Sequence, residues 1–380
     1  MDLDFLKSLY ENADDREAAG YVSVYLDTSP ATESAAKELE LRWRAGREEL
    51  AADGVGAPAL DAVGRHLTGR KPSAPGQAVF ALGGAVRLTA ALPRPPRQEI
   101  SRYAALPHVM PLLAQLPPQL PHVRVGAERT GGRVLTVSAA GAAATSTITG
   151  QTWPVHKTSR QADYSRQRST EETWSENGKL LADAVTRAAE QVRAEFIVVG
   201  GDEWERSMLL GLLPAALRDT AVVVDREVDP GAAAFTAAAE AERVRRAGQQ
   251  GQARLDEFRV RMNEPDVTVR RAVEGLDATL AALRDGLAAD VLVSDDPTGD
   301  SAAATGDACA WIGPGLADVA SMPEQLIQRG VTDPVQDRAD AALARAACGT
   351  GAALSFIPGD ADLPVGWVGA LLRAPLAAVR

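Results

Sequence analysis

The sequence predicts an α/β protein of three domains, spanning residues 1–126, 127–264 and 265–380. Three observations carry this. The stretch Phe196 to Asp225 reads strand, helix, strand, and its two strands are almost wholly apolar, the mark of a βαβ unit in a parallel or mixed sheet. Strand and helix patterns also alternate on either side of it. The 380-residue length holds two or three domains at roughly 150 residues each.

In the first segment, Tyr21 to Asp27 alternates with period two, placing Val22, Val24 and Leu26 on one face. Ser29-Pro30 follows as a helix start, with the proline at the first helical position. The helix is expected to run to about Ala52, with Ala36, Leu39, Trp43 and Leu50 on one stripe. AVFAL and VRLTAAL flank Gly83-Gly84, a hairpin signal. The proline-rich stretch Pro93 to Pro121 reads as a surface connector with a short helix.

In the second segment, Val134 to Ala140 reads as a strand, and Gly141 to Arg168 shows no clean period. Ser169 with Glu172 fits a capping box and opens a helix to about Ala194. Its apolar face carries Trp174, Leu181, Val185, Ala188 and Val192. If Trp174 packs on the sheet, Trp174→Ala should cost about 3–5 kcal/mol. Phe196 to Gly201 is a buried strand, Trp204 to Leu217 a helix, and Ala221 to Asp225 a second buried strand. Ala232 to Met262 is one charged helix with a break expected near Gly248–Gly251. In the third segment, helices are expected over Val267 to Leu287 and Val335 to Ala347. Strands are expected at Asp290 to Asp296, at ACAWIG, at Ala353 to Pro358 and at Val365 to Arg373, and a polar loop over Asp300 to Gly306.

Charge and motif content exclude several functions. A net charge of −11 is wrong for a protein that coats nucleic acid, whose affinity comes from neutralising phosphates. No apolar run reaches the roughly 18 residues of a membrane span, and the acidic N-terminus is unlike a signal peptide. Two cysteines and four scattered histidines offer neither a disulfide framework nor a zinc-ligand spacing, so no cofactor is expected and a reducing cytoplasm is the natural compartment. No phosphate loop or nucleophile elbow occurs. Gly200-Gly201-Asp202 precedes a helix, but Asp202, Glu203 and Glu205 oppose an anion there, so it reads as a tight structural turn. Cys348 reads as a small buried residue.

One segment inverts the charge. From Thr152 to Arg168 the chain carries Lys157, Arg160, Arg166 and Arg168, with His156 as a further donor and only Asp163 negative. Gln161, Gln167 and Tyr164 are interleaved. Arginine grips phosphate with paired donors, and tyrosine stacks on bases. Read from the residues alone, this is either an RNA-facing loop or a solvated loop with ordinary surface arginines.

The order VLTVSAA, WPVHK, EETWSENGKLLADAV and FIVVGGDE resembles the central domain of class-1 release factors of archaeo-eukaryotic type. It is more similar to their bacterial relatives, the bacterial archaeo-eukaryotic release factor families, including actinobacterial dormancy-linked members and ribosome hibernation factors. YVSVYLDTSP with ELRWR, and VEGLDATLAALRDGLAADVLVSDD, extend the likeness over the whole chain. The resemblance implies a release-factor-like arrangement of three domains, Pelota among its relatives. The first enters the decoding region, the second is an RNase H-like mixed sheet with a Gly-Gly-Gln tip, and the third is a ribosomal-protein-like α/β/α sandwich that engages a translational GTPase. This chain departs from the pattern at the tip. Its Gly-Gly pairs, at 83–84, 131–132 and 200–201, are not followed by Gln, and the loop reads SRQADY. A stop-codon-reading NIKS sequence is also missing. The resemblance therefore implies a non-catalytic factor at the ribosomal aminoacyl site, with elongation factor Tu or another GTPase as partner. His156, Lys157, Arg160, Gln161, Tyr164, Arg166, Gln167 and Arg168 would contact ribosomal RNA. The alternative is a peptidyl-tRNA hydrolase in which Gln161 or Gln167 replaces the lost glutamine.

Overall fold

A computed structural model describes residues 3–10, 20–29, 35–68, 74–116, 120–139, 141–150, 163–295, 308–358 and 367–375. The expected polar loop 300–306 and tip residues 156–161 lie outside them.

The described elements divide into two compact units, residues 118–247 and the remainder of the chain on both sides. The remainder begins with α1 (Lys7–Tyr10), β1 (Tyr21–Asp27), α2 (Ala35–Ala52), α3 (Ala57–Thr68), β2 (Gly76–Leu82), β3 (Ala85–Leu92), β4 (Ile100–Ala104) and α4 (Met110–Leu113). The strands form an antiparallel sheet in the order β3-β2-β1-β4. Val22, Val24 and Leu26 do share a face, packed against Leu39, Trp43 and Leu50 of α2 and Leu60, Val63 and Leu67 of α3. Ala36, expected on the α2 stripe, is exposed. Gly83 and Gly84 both have positive φ, as the tight turn between β2 and β3 requires. The proline-rich stretch holds more than a connector, since β4 pairs with β1.

The central unit comprises β5 (His122–Glu128), β6 (Gly131–Val137), β7 (Ala143–Thr149), α5 (Asp163–Val192), β8 (Phe196–Gly201), α6 (Glu203–Leu212), α7 (Ala215–Arg218), β9 (Ala221–Asp225) and the first half of α8 (Ala233–Met262). Its sheet has the order β7-β6-β5-β8-β9. β6 is antiparallel to both neighbours, whereas β5, β8 and β9 run parallel. The βαβ unit is thus present as β8-α6-β9. β9 is an edge strand with Val223 half-exposed, not the buried strand its apolar run suggests. Leu213-Pro214 divides the helix expected over 204–217 into α6 and α7, because proline has no N–H to extend the ladder. α5 and α6 cover one sheet face through Leu181, Val185 and Leu209, while Phe235 and Ala239 of α8 pack with Phe196 and Val198 on the other.

α8 is one helix through Gly248 and Gly251, without the expected break. Ion pairs one turn apart bracket the glycines, Glu242 with Arg245 and Arg246 on one side and Glu257 with Arg254 and Arg261 on the other. The chain then forms β10 (Ala272–Glu274), α9 (Leu276–Arg284), β11 (Ala288–Asp295), β12 (Cys309–Ile312), β13 (Val319–Ala320), α10 (Pro323–Ile327), β14 (Val335–Arg338), α11 (Ala339–Thr350), β15 (Ala353–Pro358) and β16 (Val368–Leu372). Two expected helices are shorter than their patterns. Ala272–Glu274 pairs with β16, and Val335–Arg338 pairs with β12. The main sheet, β10-β16-β11-β15, is mixed, with β11 and β15 parallel. Leu255 and Phe258 of α8 pack on one face with Leu292 and Leu371, and α9 and α11 cover the other through Leu280, Leu283 and Leu343. Cys348 is buried there, its thiol near the Leu3 carbonyl.

The N- and C-terminal segments share one core, in which Tyr25 and Phe80 join Val291, Leu343 and Leu354. Two buried carboxylates tie them together. Asp337 accepts from Arg102 Nη2 at 2.5 Å and from the Leu106 N–H at 2.7 Å. Asp340 accepts from Arg338 Nη2 at 2.7 Å and lies 3.3 Å from His108 Nε2. Burial works to raise the Asp340 pKa, but these two donors hold it well below the usual carboxylate range.

Candidate nucleic-acid interface

The basic segment joins β7 to α5, and its structural base is well built. Gly150 closes β7 by donating its N–H to the Thr130 carbonyl at 2.7 Å. Buried Asn177 of α5 donates from Nδ2 to the Arg129 carbonyl at 3.1 Å. A Cβ on Gly150 would lie 2.1 Å from Asn177 Oδ1, so only glycine fits beneath that amide. Asn177 thereby holds the β5–β6 turn beside α5, next to the point where the chain leaves β7 for the basic segment.

α5 begins at Asp163, six residues before the expected cap. Residues 163–168 contain neither Gly nor Pro and are rich in arginine and glutamine, so the helix propagates upstream of the Ser169 signature. Tyr164, Arg166, Gln167 and Arg168 therefore have helical backbone rather than the loop backbone expected for them. His156, Lys157, Arg160 and Gln161 lie outside the described residues.

A cluster that sequence reasoning missed sits farther along α5. Arg129 places its guanidinium 4.9 Å from the Trp174 ring centre and donates from Nε to Glu205 Oε1 at 3.0 Å. Trp174 meets Trp204 edge-to-face, with centroids 5.5 Å apart and planes at 69°. Trp174 is half-buried and Trp204 is 46% exposed, so this pair forms an aromatic surface rather than a core contact. The other Glu205 oxygen is buried without a partner. The only local signal was two tryptophans at the starts of amphipathic helical runs, which reads as ordinary packing.

His122, by contrast, is a structural residue. Its ring stacks on Phe196 at 4.8 Å and 7°. Arg124 Nε donates to Nε2 at 3.2 Å, so Nδ1 carries the proton and donates to the Leu120 carbonyl at 2.9 Å. Burial, with Arg124 and Arg243 nearby, pushes its pKa down to about 4.

The three Gly-Gly pairs all have structural tasks. Gly83-Gly84 makes the hairpin turn. A Cβ on Gly131 would lie 2.0 Å from the Ile148 carbonyl oxygen, and one on Gly200 would lie 2.3 Å from that of Glu227. Gly201 has a φ of +128° and ends β8 as the expected tight turn. Among the described residues, no cluster of three metal-ligating side chains occurs, and no helix is long and apolar enough to cross a membrane.

Residues 121–264 match the model of bacterial archaeo-eukaryotic release factor family 2. An uncharacterized protein of Mycobacterium tuberculosis, found in two strains, is 29% identical over 370 residues, covering 93% of each chain. Among solved structures, Archaeoglobus fulgidus Pelota aligns over 98% of this chain and 92% of its own, at 14% identity and a TM-score of 0.34. An archaeal translation termination factor aligns over 98% of both chains at 13% identity and a TM-score of 0.23. The central segment 121–264 is thus similar to a bacterial archaeo-eukaryotic release factor family, and the likeness to the mycobacterial protein runs over nearly the whole chain.

Proposed function

We propose that this protein is a non-catalytic ribosome-binding factor that occupies the aminoacyl site of idle ribosomes in the cytoplasm, as a hibernation factor of dormant cells. In this reading residues 1–126 face the decoding region. Residues 127–264 form an RNase H-like domain that reaches ribosomal RNA with the basic segment. Residues 265–380 form a ribosomal-protein-like α/β/α sandwich that engages elongation factor Tu or another translational GTPase. The strand order β7-β6-β5-β8-β9 with β6 reversed supports the RNase H-like assignment, and helices on both faces of the C-terminal sheet support the sandwich.

The observation that carries the proposal is the family match over the segment where release factors hold their Gly-Gly-Gln tip, in a chain whose corresponding stretch reads SRQADY. Glycine freedom is what lets a tip backbone approach RNA closely and orient a water. A tip of Lys157, Arg160, Arg166 and Arg168 with Tyr164 suits phosphate contact and stacking. His156, Gln161 and Gln167 would add hydrogen bonds.

Co-sedimentation with vacant 70S ribosomes at graded salt tests this. Binding should weaken steeply as salt rises, as counterion release dictates. Changing Lys157, Arg160, Arg166 and Arg168 together to Glu should abolish binding with an unchanged circular dichroism spectrum. Undiminished binding by that variant would refute the RNA contact. Release of peptide from peptidyl-tRNA, lost in Gln161→Ala, would establish the hydrolase reading instead.

A further inference from the structure

Trp204, whose ring meets Trp174 edge-to-face, lines a recess of about 420 Å³ where β8 and β9 end and α6 begins. Asp202, Glu203, Trp204, Arg206, Asp225 and Arg226 line it. Three carboxylates, Asp202, Glu203 and Asp225, outnumber its two guanidinium groups, Arg206 and the exposed Arg226. Asp202 occupies the N-cap position of α6, yet its side chain makes no capping hydrogen bond, and it is exposed beside exposed Glu203. Arg206 is already committed, with Nη1 donating to the Gly201 and Val224 carbonyls at 3.0 and 3.2 Å and to Asp225 at 2.5 Å. Carboxylates at Asp202, Glu203 and Glu205 already fill the role an anion would take at this helix N-terminus. What stays open is the exposed part of the Trp204 ring, flanked by Asp202 and Glu203.

The chain builds the same arrangement a second time and fills it itself. On Trp174 a guanidinium, that of Arg129, lies over the ring and pairs with the carboxylate of Glu205. The neighbouring ring has carboxylates at hand but no guanidinium over it among the described cation–ring contacts. Glu205, next to Trp204 on α6, also keeps one buried oxygen without a donor. Tryptophan is the aromatic side chain that holds a cation best, and tryptophan and arginine are among the side chains that most often dominate protein interfaces.

We propose that the recess beside Trp204 is a docking site for a lysine or arginine side chain from a basic protein segment. This proposal does not depend on RNA contact by the basic segment.

Titration of the full chain with a hexalysine peptide, followed by calorimetry at about 0.1 M salt to screen distant charges, tests the assignment. Trp204→Ala leaves net charge unchanged and should weaken binding about three- to tenfold. Asp202→Asn combined with Glu203→Gln, which keeps the ring, should weaken it comparably. Equal affinity for wild type and either variant would overturn the proposal. So would tighter binding of spermine than of hexalysine, which would make the site one for small polyamines, or equal binding of hexaglutamate.

Discussion

Lowering the pH from 7 to 4 should remove about 3 kcal/mol of stability from the central unit through His122 alone. The ring is 2% exposed, stacked on Phe196, and held neutral by accepting from Arg124 while donating to Leu120. Protonating Nε2 would cancel that acceptor and set a buried cation against the Arg124 guanidinium. The folded pKa is about 4 against an ordinary value of 6.5. The unfolded chain therefore takes up the proton first as pH falls. The contribution is fully present above pH 6.5 and is lost on descending toward pH 4. A gap of about 2.5 pH units at about 1.4 kcal/mol each gives about 3.5 kcal/mol in full, of which about 3 is lost by pH 4, where the folded ring is half protonated. Proton NMR of the imidazole C2 signals in the full chain reads this directly. His122→Gln identifies the signal and should flatten the stability profile measured by urea unfolding between pH 6.5 and 4.5. A His122 signal that titrates near 6.5 would refute the reasoning.

Other expectations follow from the same geometry. Trp174→Ala should cost about 1–2 kcal/mol in chemical denaturation rather than the 3–5 of a core tryptophan, because its ring is only partly buried and its specific contacts are one edge-to-face pair and one cation. Gly126→Ala should misfold the central unit, seen as loss of soluble expression, since the new Cβ would lie 1.9 Å from the Val228 carbonyl oxygen and backbone cannot retreat as a side chain can. Asp337→Ala should destabilise the unit that joins the chain's two ends by about 2–4 kcal/mol, because it strips Arg102 and the Leu106 N–H of their buried acceptor. A thermal shift below about 2 °C in that variant would show the carboxylate to be dispensable.

The sequence revealed elements whose apolar period is fixed locally. β1, the hairpin at Gly83-Gly84, β8 and the apolar face of α5 all carry their own pattern. Elements defined by their partners were harder to see. β7 is an edge strand of Ala, Thr and Ser with one Ile, exposed along nearly its whole length, so no hydrophobic alternation marks it. Val335 to Arg338 continues smoothly into helix-forming residues, yet pairing with β12 holds it extended. α3 was overlooked although Leu60, Val63 and Leu67 have helical spacing. The tie between Arg102 and Asp337 spans 235 positions and leaves no local trace. At the candidate site, the charge inversion was plain in the sequence, whereas the Arg129–Trp174–Trp204 ladder draws on three separate elements and became visible only once they were folded together.

Cryo-electron microscopy of vacant 70S ribosomes incubated with the full chain bears most directly on the account. Density for the protein in the aminoacyl site, with residues 156–168 against ribosomal RNA and no cleavage of peptidyl-tRNA in parallel reactions, is the expected result. Ribosomes whose aminoacyl site stays vacant at low salt, or density elsewhere with the basic segment facing solvent, would contradict it.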